Sequence, residues 1–149
     1  MKLRALSIYI AACAATASAA VPAKACRVFE LPESKLTRAY AEEVIAARAV
    51  VRVENAQYIR ESSNDTHPYR VRTALVRGTH DNVPDSDTFE AGWGSAACDY
   101  GFAKPEPGDI YALYYWRRAD GSLAVWMALP IDEARLSDPR GDTLLRSSR

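Results

Sequence analysis

Few residues in this chain have chemistry to offer. Its histidines are His67 and His80, and its cysteines are Cys13, Cys26 and Cys98. His67 lies beside Pro68 in a polar stretch and His80 follows Gly78-Thr79. Neither sits at a metal-binding spacing such as H-E-x-x-H. With no histidine placed as a base, no Ser/His/Asp or Cys/His set can be assembled. No catalytic residue is therefore assigned, and the chain reads as a non-enzyme. Gly92-Trp93-Gly94-Ser95-Ala96-Ala97 spells G-x-G-x-x-A. A dinucleotide site would need a βαβ unit around it and an acidic residue closing a second strand, and the sequence offers neither. The same stretch lacks the second glycine of a nucleophile elbow. Asp81, Asp85 and Asp87 share a loop segment but not the spacing of an EF-hand. They read as solvated carboxylates, and no metal or cofactor is expected. Arg140-Gly141-Asp142 falls in a polar tail and reads as a chance tripeptide.

The cysteines carry more. Met1-Lys2-Leu3-Arg4 is basic, Ala5 to Ala20 is uncharged and apolar, and Val21-Pro22-Ala23-Lys24-Ala25 supplies small residues. That three-part order is the pattern of a cleavable secretory signal. The apolar run is shorter than the ~20 residues a spanning helix needs. Cleavage after Ala25 releases Cys26 as the first residue, and cleavage after Ala20 releases Val21. Ile10-Ala11-Ala12-Cys13 also looks like a lipoprotein acylation box, behind a shorter apolar run. The protein is expected to be secreted or periplasmic, with a lipoprotein through Cys13 as the lesser alternative. No transmembrane segment is expected after signal removal. With Cys13 in the signal, Cys26 and Cys98 form the one available pair, in a compartment where disulfides persist. A Cys26–Cys98 bridge would close a 73-residue loop, worth about 4 kcal/mol on the chain-entropy model. A zinc site is the alternative for two cysteines, but no matching His or Cys cluster accompanies them.

Cleavage after Ala25 leaves 124 residues, enough for one domain with a real core. The signal removes three basic residues and no acid, so 16 basic residues face 19 acidic ones, a net charge of −3. That balance argues against a phosphate-binding surface, and nucleic acid is not an expected partner. The expected organisation is a signal over 1–25, a domain over 26–136 and a flexible polar tail over 137–149.

The elements that must position these residues read mainly as strands. Leu36, Tyr40, Val44 and Ala47 recur at helical spacing and predict a short helix within 34–47. Ala49-Val50-Val51-Arg52-Val53 is a Val-rich strand, which Tyr58 and Ile59 extend after a kink. Residues 69–77 partly alternate, with Tyr69, Val71, Thr73 and Leu75 on one side and Arg70 and Arg72 on the other, and end at Gly78. Thr88-Phe89-Glu90 is a short strand. Residues 110–116 and 123–129 are apolar runs joined through Asp120-Gly121, a hairpin signal. Ile131 to Leu136 makes one or two helical turns. The aromatics Tyr111, Tyr114, Tyr115, Trp116 and Trp126 lie on that hairpin. Cross-strand packing is the favoured reading for them, over an exposed ligand platform. The fold class is all-β with minor helix, a small barrel or sandwich.

Ser95-Ala96-Ala97-Cys98-Asp99-Tyr100-Gly101-Phe102, followed by Pro107 to Tyr114, resembles the netrin-like domain family, whose best-known members are the tissue inhibitors of metalloproteinases. Ala41 to Val50 resembles that family's first strand, Leu75 to Gly78 resembles one of its strand ends, and Cys26 matches its first cysteine. The resemblance implies a five-stranded OB-fold-like barrel with one or two short flanking helices. It also implies that Cys26 pairs with Cys98. In the inhibitors the free amine and carbonyl of the first cysteine chelate the protease zinc. By position, the resemblance implies a binding edge of Cys26, Arg27, Ala96, Ala97 and Asp99. The chain has Cys26-Arg27-Val28 where the inhibitors have Cys-x-Cys, and Asp99 where they have Gly. The expected function is an exported, non-catalytic protein-binding module, in its specific form an inhibitor of a zinc metallopeptidase. The alternative is an envelope-associated structural or interaction protein with no protease target.

Overall fold

A computed structural model describes residues 30–59, 68–92, 101–141 and 143–146. The cysteines at 13, 26 and 98, the signal segment, His67, Arg27, Ala96, Ala97 and Asp99 lie outside the described residues.

The chain folds as helix α1 (Pro32–Ala41), strands β1 (Ala47–Tyr58), β2 (Tyr69–Gly78), β3 (Ser86–Ala91), β4 (Ile110–Arg117) and β5 (Leu123–Pro130), then helices α2 (Ile131–Ser137) and α3 (Thr143–Arg146). The strands form one antiparallel sheet in the order β3-β2-β1-β4-β5. The sheet curls so that its end strands β3 and β5 approach each other. The fold is therefore all-β with minor helix, an OB-fold-like barrel of five strands. Short helices α1, α2 and α3 flank it among the described residues.

Three bulges set the curl, because each extra residue bends its strand and raises the local twist. Register shifts fall at Val76 on β2, at Glu54 on β1 and at Trp126 on β5. Up to Val53 the odd residues of β1 face inward; beyond Glu54 the parity changes and Ala56 faces inward instead. The interior is filled by Ala47, Ala49, Val51, Val53, Tyr69, Val71, Phe89, Tyr111, Leu113 and Tyr115. Phe89 and Tyr111 meet there at 5.9 Å between ring centres. The opposite face of β1, β4 and β5 is buried too. Val50, Ala112, Tyr114 and Leu129 pack there beneath Leu36 of α1, Ala134 of α2 and Leu145 of α3. This double burial is why β4 reads as a near-continuous apolar run.

The hairpin aromatics are thus mostly packing residues. Tyr111 and Tyr115 face inward, Tyr114 lies under the helices, Trp126 packs against the same helical cluster, and Trp116 remains 43% exposed. The Asp120-Gly121 turn forms as read. Gly121 adopts φ +84, and Asp120 Oδ1 accepts the Ser122 N–H at 2.9 Å and hydroxyl at 2.6 Å.

Helix α1 is shorter than its periodicity predicts because it stops at a Schellman motif. The Val44 N–H donates to Ala39 O at 2.8 Å and the Glu43 N–H to Tyr40 O at 3.3 Å. That geometry needs a left-handed residue at position 43, and Glu43 supplies it at φ 55. Glycine takes this conformation without a Cβ penalty. Glu43→Gly is expected to stabilise the domain by up to about 1 kcal/mol, part of the gain being offset by unfolded-chain entropy. Urea denaturation midpoints of the two proteins check this.

Packing continues in the chain beyond Leu136. Ser137 and Asp138 are buried at 6% and 5% exposure, and Leu145 at 1%. An apolar pair, Leu144-Leu145, lets this stretch dock as α3 instead of fraying: Leu145 joins the helical cluster and Leu144 packs against it. The Arg77 guanidinium donates to Leu144 O at 3.0 Å, and Arg135 donates to Leu145 O at 2.9 Å.

Candidate functional site

Two polar constellations stand out among the described residues. The first is buried. At the end of α2, the Asp138 side chain is fully enclosed. Its Oδ2 accepts hydrogen bonds from the Tyr40 hydroxyl at 2.9 Å, the Tyr114 hydroxyl at 3.0 Å and the Arg48 guanidinium at 3.4 Å. Its Oδ1 accepts the Arg140 backbone N–H at 2.9 Å. The Arg140 guanidinium stacks over the Tyr40 ring at 4.0 Å, with Arg48 on the same ring at 5.9 Å. Helix α1, strands β1 and β4 and the chain after α2 thus each send a group to one carboxylate. Burial, and then the Asp138 charge, pushes the hydroxyls of Tyr40 and Tyr114 well above the ordinary tyrosine range. Both stay protonated donors, and neither can serve as a base or nucleophile near neutrality. The cluster is a clamp joining the C-terminal segment to the barrel. Sequence reasoning missed it because Asp138 falls in a polar stretch; the Leu144-Leu145 pair was the available signal.

The second constellation is open. On β1, β2 and β3 the residues turned away from the interior form rows across the strands: Asn55, Arg72, Thr88 and Gln57, Arg70, Glu90. Asn55, Gln57, Arg70, Arg72 and Thr88 line a shallow, solvent-open depression of about 210 Å³. Arg70 pairs with Glu90 at 2.6 Å and Arg72 with Glu54 at 3.0 Å. The alternation of residues 69–72 already implied that the two arginines point the same way.

Of the other sequence candidates, His80 is exposed, and so are Asp81 and Asp85, with Asp87 half-buried. Among the described residues, no three His, Cys, Asp or Glu side chains gather in a way that could hold a metal. No described helix is long and apolar enough to cross a membrane. The expected binding edge of Cys26, Arg27, Ala96, Ala97 and Asp99, and the Cys26–Cys98 bridge, fall outside the described residues. Described residues close to them in the chain are Glu30, which accepts from Arg38 at 2.8 Å beside α1, and Phe102, whose carbonyl accepts from the Tyr69 hydroxyl at 2.8 Å. Phe102 packs against the apolar cluster that contains Leu36 of α1. Comparison of the chain with protein-family models, with curated proteins and with solved structures finds no match.

Proposed function

We propose that this chain is an exported, non-catalytic binding module whose contact edge joins the segment beginning at Cys26 to the loop around Cys98, and whose target is a zinc metallopeptidase. The observation that carries the reading is the position of the two flanks. Leu36 and Phe102 belong to one apolar cluster on one face of the sheet. Cys26 precedes Glu30 by four residues, and Cys98 precedes Phe102 by four. Four residues of extended chain reach roughly 14 Å. Arms of that length leave room for a Cys26–Cys98 bridge, which needs a Cα separation of ~5.5 Å. The filled barrel interior adds support, because recognition then falls to the outside of the fold.

N-terminal sequencing and thiol titration of the exported protein, with progress curves against a panel of zinc endopeptidases, test the reading. The expected result is a protein that begins at Cys26, has no free thiol and inhibits at least one zinc enzyme. Acetylating its N-terminal amine should abolish the inhibition. A chain starting at Val21, or acylated at Cys13, rules out chelation by Cys26. A correctly processed chain that inhibits none of the panel leaves the interaction protein without a protease target as the better account.

A further inference from the structure

The open face of β1, β2 and β3 carries a group of exposed arginines. Arg52, Arg70 and Arg72 all point outward and are exposed, against Glu54 and Glu90 on the same face. The patch is net positive on a chain of formal net charge zero. Arg70 and Arg72 are two residues apart on one strand, so their stems stand roughly 7 Å apart. Alternate residues of any extended peptide have the same spacing. We propose that this face binds an extended acidic segment of a partner protein, with carboxylates at alternate positions engaging Arg70 and Arg72.

The present occupants of the two guanidiniums show the mode. The bulge at Glu54 turns its carboxylate toward Arg72, and Glu90 meets Arg70 from the edge strand. Both pairs are open to water, with side-chain exposures of 57% and 57% for Arg70–Glu90 and 69% and 44% for Arg72–Glu54. Exposed pairs of this kind add little net stability, so exchanging an internal carboxylate for an external one costs little. The depression between them offers the amides of Asn55 and Gln57 and the hydroxyl of Thr88 to the backbone of an incoming strand. Val76, the bulged residue further along β2, is 41% exposed and available to an apolar residue beyond the acidic pair. A chain with no excess of basic over acidic residues is a poor match for a nucleic-acid backbone, and the alternate-residue spacing of the two arginines favours an extended acidic peptide. The inference does not depend on the Cys26 edge, none of whose residues belongs to β1, β2 or β3.

Fluorescence anisotropy of the full chain with a labelled peptide bearing Glu-Thr-Glu tests it, alongside Glu-Glu-Thr and Gln-Thr-Gln peptides. Arg70→Gln and Arg72→Gln should each weaken the Glu-Thr-Glu complex about tenfold, or ~1.4 kcal/mol. Glu54→Gln and Glu90→Gln should each strengthen it several-fold by removing the internal competitor. The glutamate variants keep the test decisive even if an arginine variant were to misfold. Equal affinity for the Gln-Thr-Gln peptide would overturn the proposal. So would arginine variants that bind as the parent does, or the absence of binding by both the parent and the Glu54→Gln/Glu90→Gln double variant.

Discussion

Replacing Asp138 with alanine is expected to destabilise the domain by about 3–5 kcal/mol, the cost of taking one partner out of a buried, hydrogen-bonded charge cluster. The carboxylate is wholly enclosed and accepts from Tyr40, Tyr114, Arg48 and the Arg140 N–H. Its loss deprives the 10%-exposed Arg48 side chain of this counter-charge and takes the acceptor from two hydroxyls. Each buried donor left without its acceptor costs on the order of 1–3 kcal/mol. The exposed Arg38–Glu30 pair is the control. Its shorter contact of 2.8 Å bridges side chains 56% and 28% exposed, and Arg38→Ala should change stability by less than about 1 kcal/mol. Burial, not contact distance, decides between the two. Urea denaturation reads both variants. Tyr40→Phe combined with Asp138→Ala should cost less than the two single changes together, because one hydrogen bond is counted in each. Limited proteolysis should also find new cleavage after α2 in Asp138→Ala, since the clamp holds that segment down. An Asp138→Ala protein as stable as its parent would mean that the clamp adds nothing to the stability of the fold.

The strands were legible because their signals are local. Alternation of residues 69–77, the Val-rich run at 49–53 and the Asp120-Gly121 turn each specify an element from within a short window. Even so, the Ala47 to Tyr58 strand runs as one element through a kink that sequence shows only as a break in pattern, because a bulge at Glu54 absorbs the change of parity. The end of α1 was misplaced for the opposite reason. Val44 and Ala47 continue the helical spacing, but the backbone closes at Glu43 through bonds that a hydrophobic pattern cannot register. The clamp was invisible for a third reason. Tyr40, Arg48, Tyr114 and Asp138 are up to 98 residues apart, and nothing short of the folded topology brings them to one point. The open face lay between these cases. Period-2 alternation shows that Arg70 and Arg72 share a side, but only the strand pairing places Glu54 and Glu90 against them.

Alkaline titration is expected to unfold the domain cooperatively and to release its buried tyrosines together. Tyr69, Tyr111, Tyr114 and Tyr115 are at most 5% exposed. Burial is the first cause that raises each hydroxyl above its ordinary range. Asp138 adds to it at Tyr114, Tyr69 and Asp109 at Tyr111, and Asp87 at Tyr115. Tyr69 is pushed up to about 12 by burial and then by Tyr58, and the other three move in the same direction. A tyrosine that titrates near pH 10 when unfolded keeps its proton longer in the folded state. Above pH ~10 the unfolded chain therefore binds fewer protons, and stability falls as pH rises. The contribution is fully present below pH ~10; for Tyr69 it is lost between about 10 and 12. Each tyrosine lowers stability by about 1.4 kcal/mol per pH unit across its window. Four acting together would exhaust a stability of ~5–15 kcal/mol between about pH 11 and 13. Phenolate absorbance near 295 nm and far-UV circular dichroism should then change in one step. Gradual ionisation of these tyrosines with an unchanged dichroism spectrum would contradict the assignment. Tyr69→Phe supplies the sign test. At neutral pH it should be less stable than the parent by about 1 kcal/mol, through loss of the bond to Phe102 O. From pH ~10 to ~12 the deficit should shrink and then reverse, because phenylalanine has no proton whose loss favours the unfolded chain.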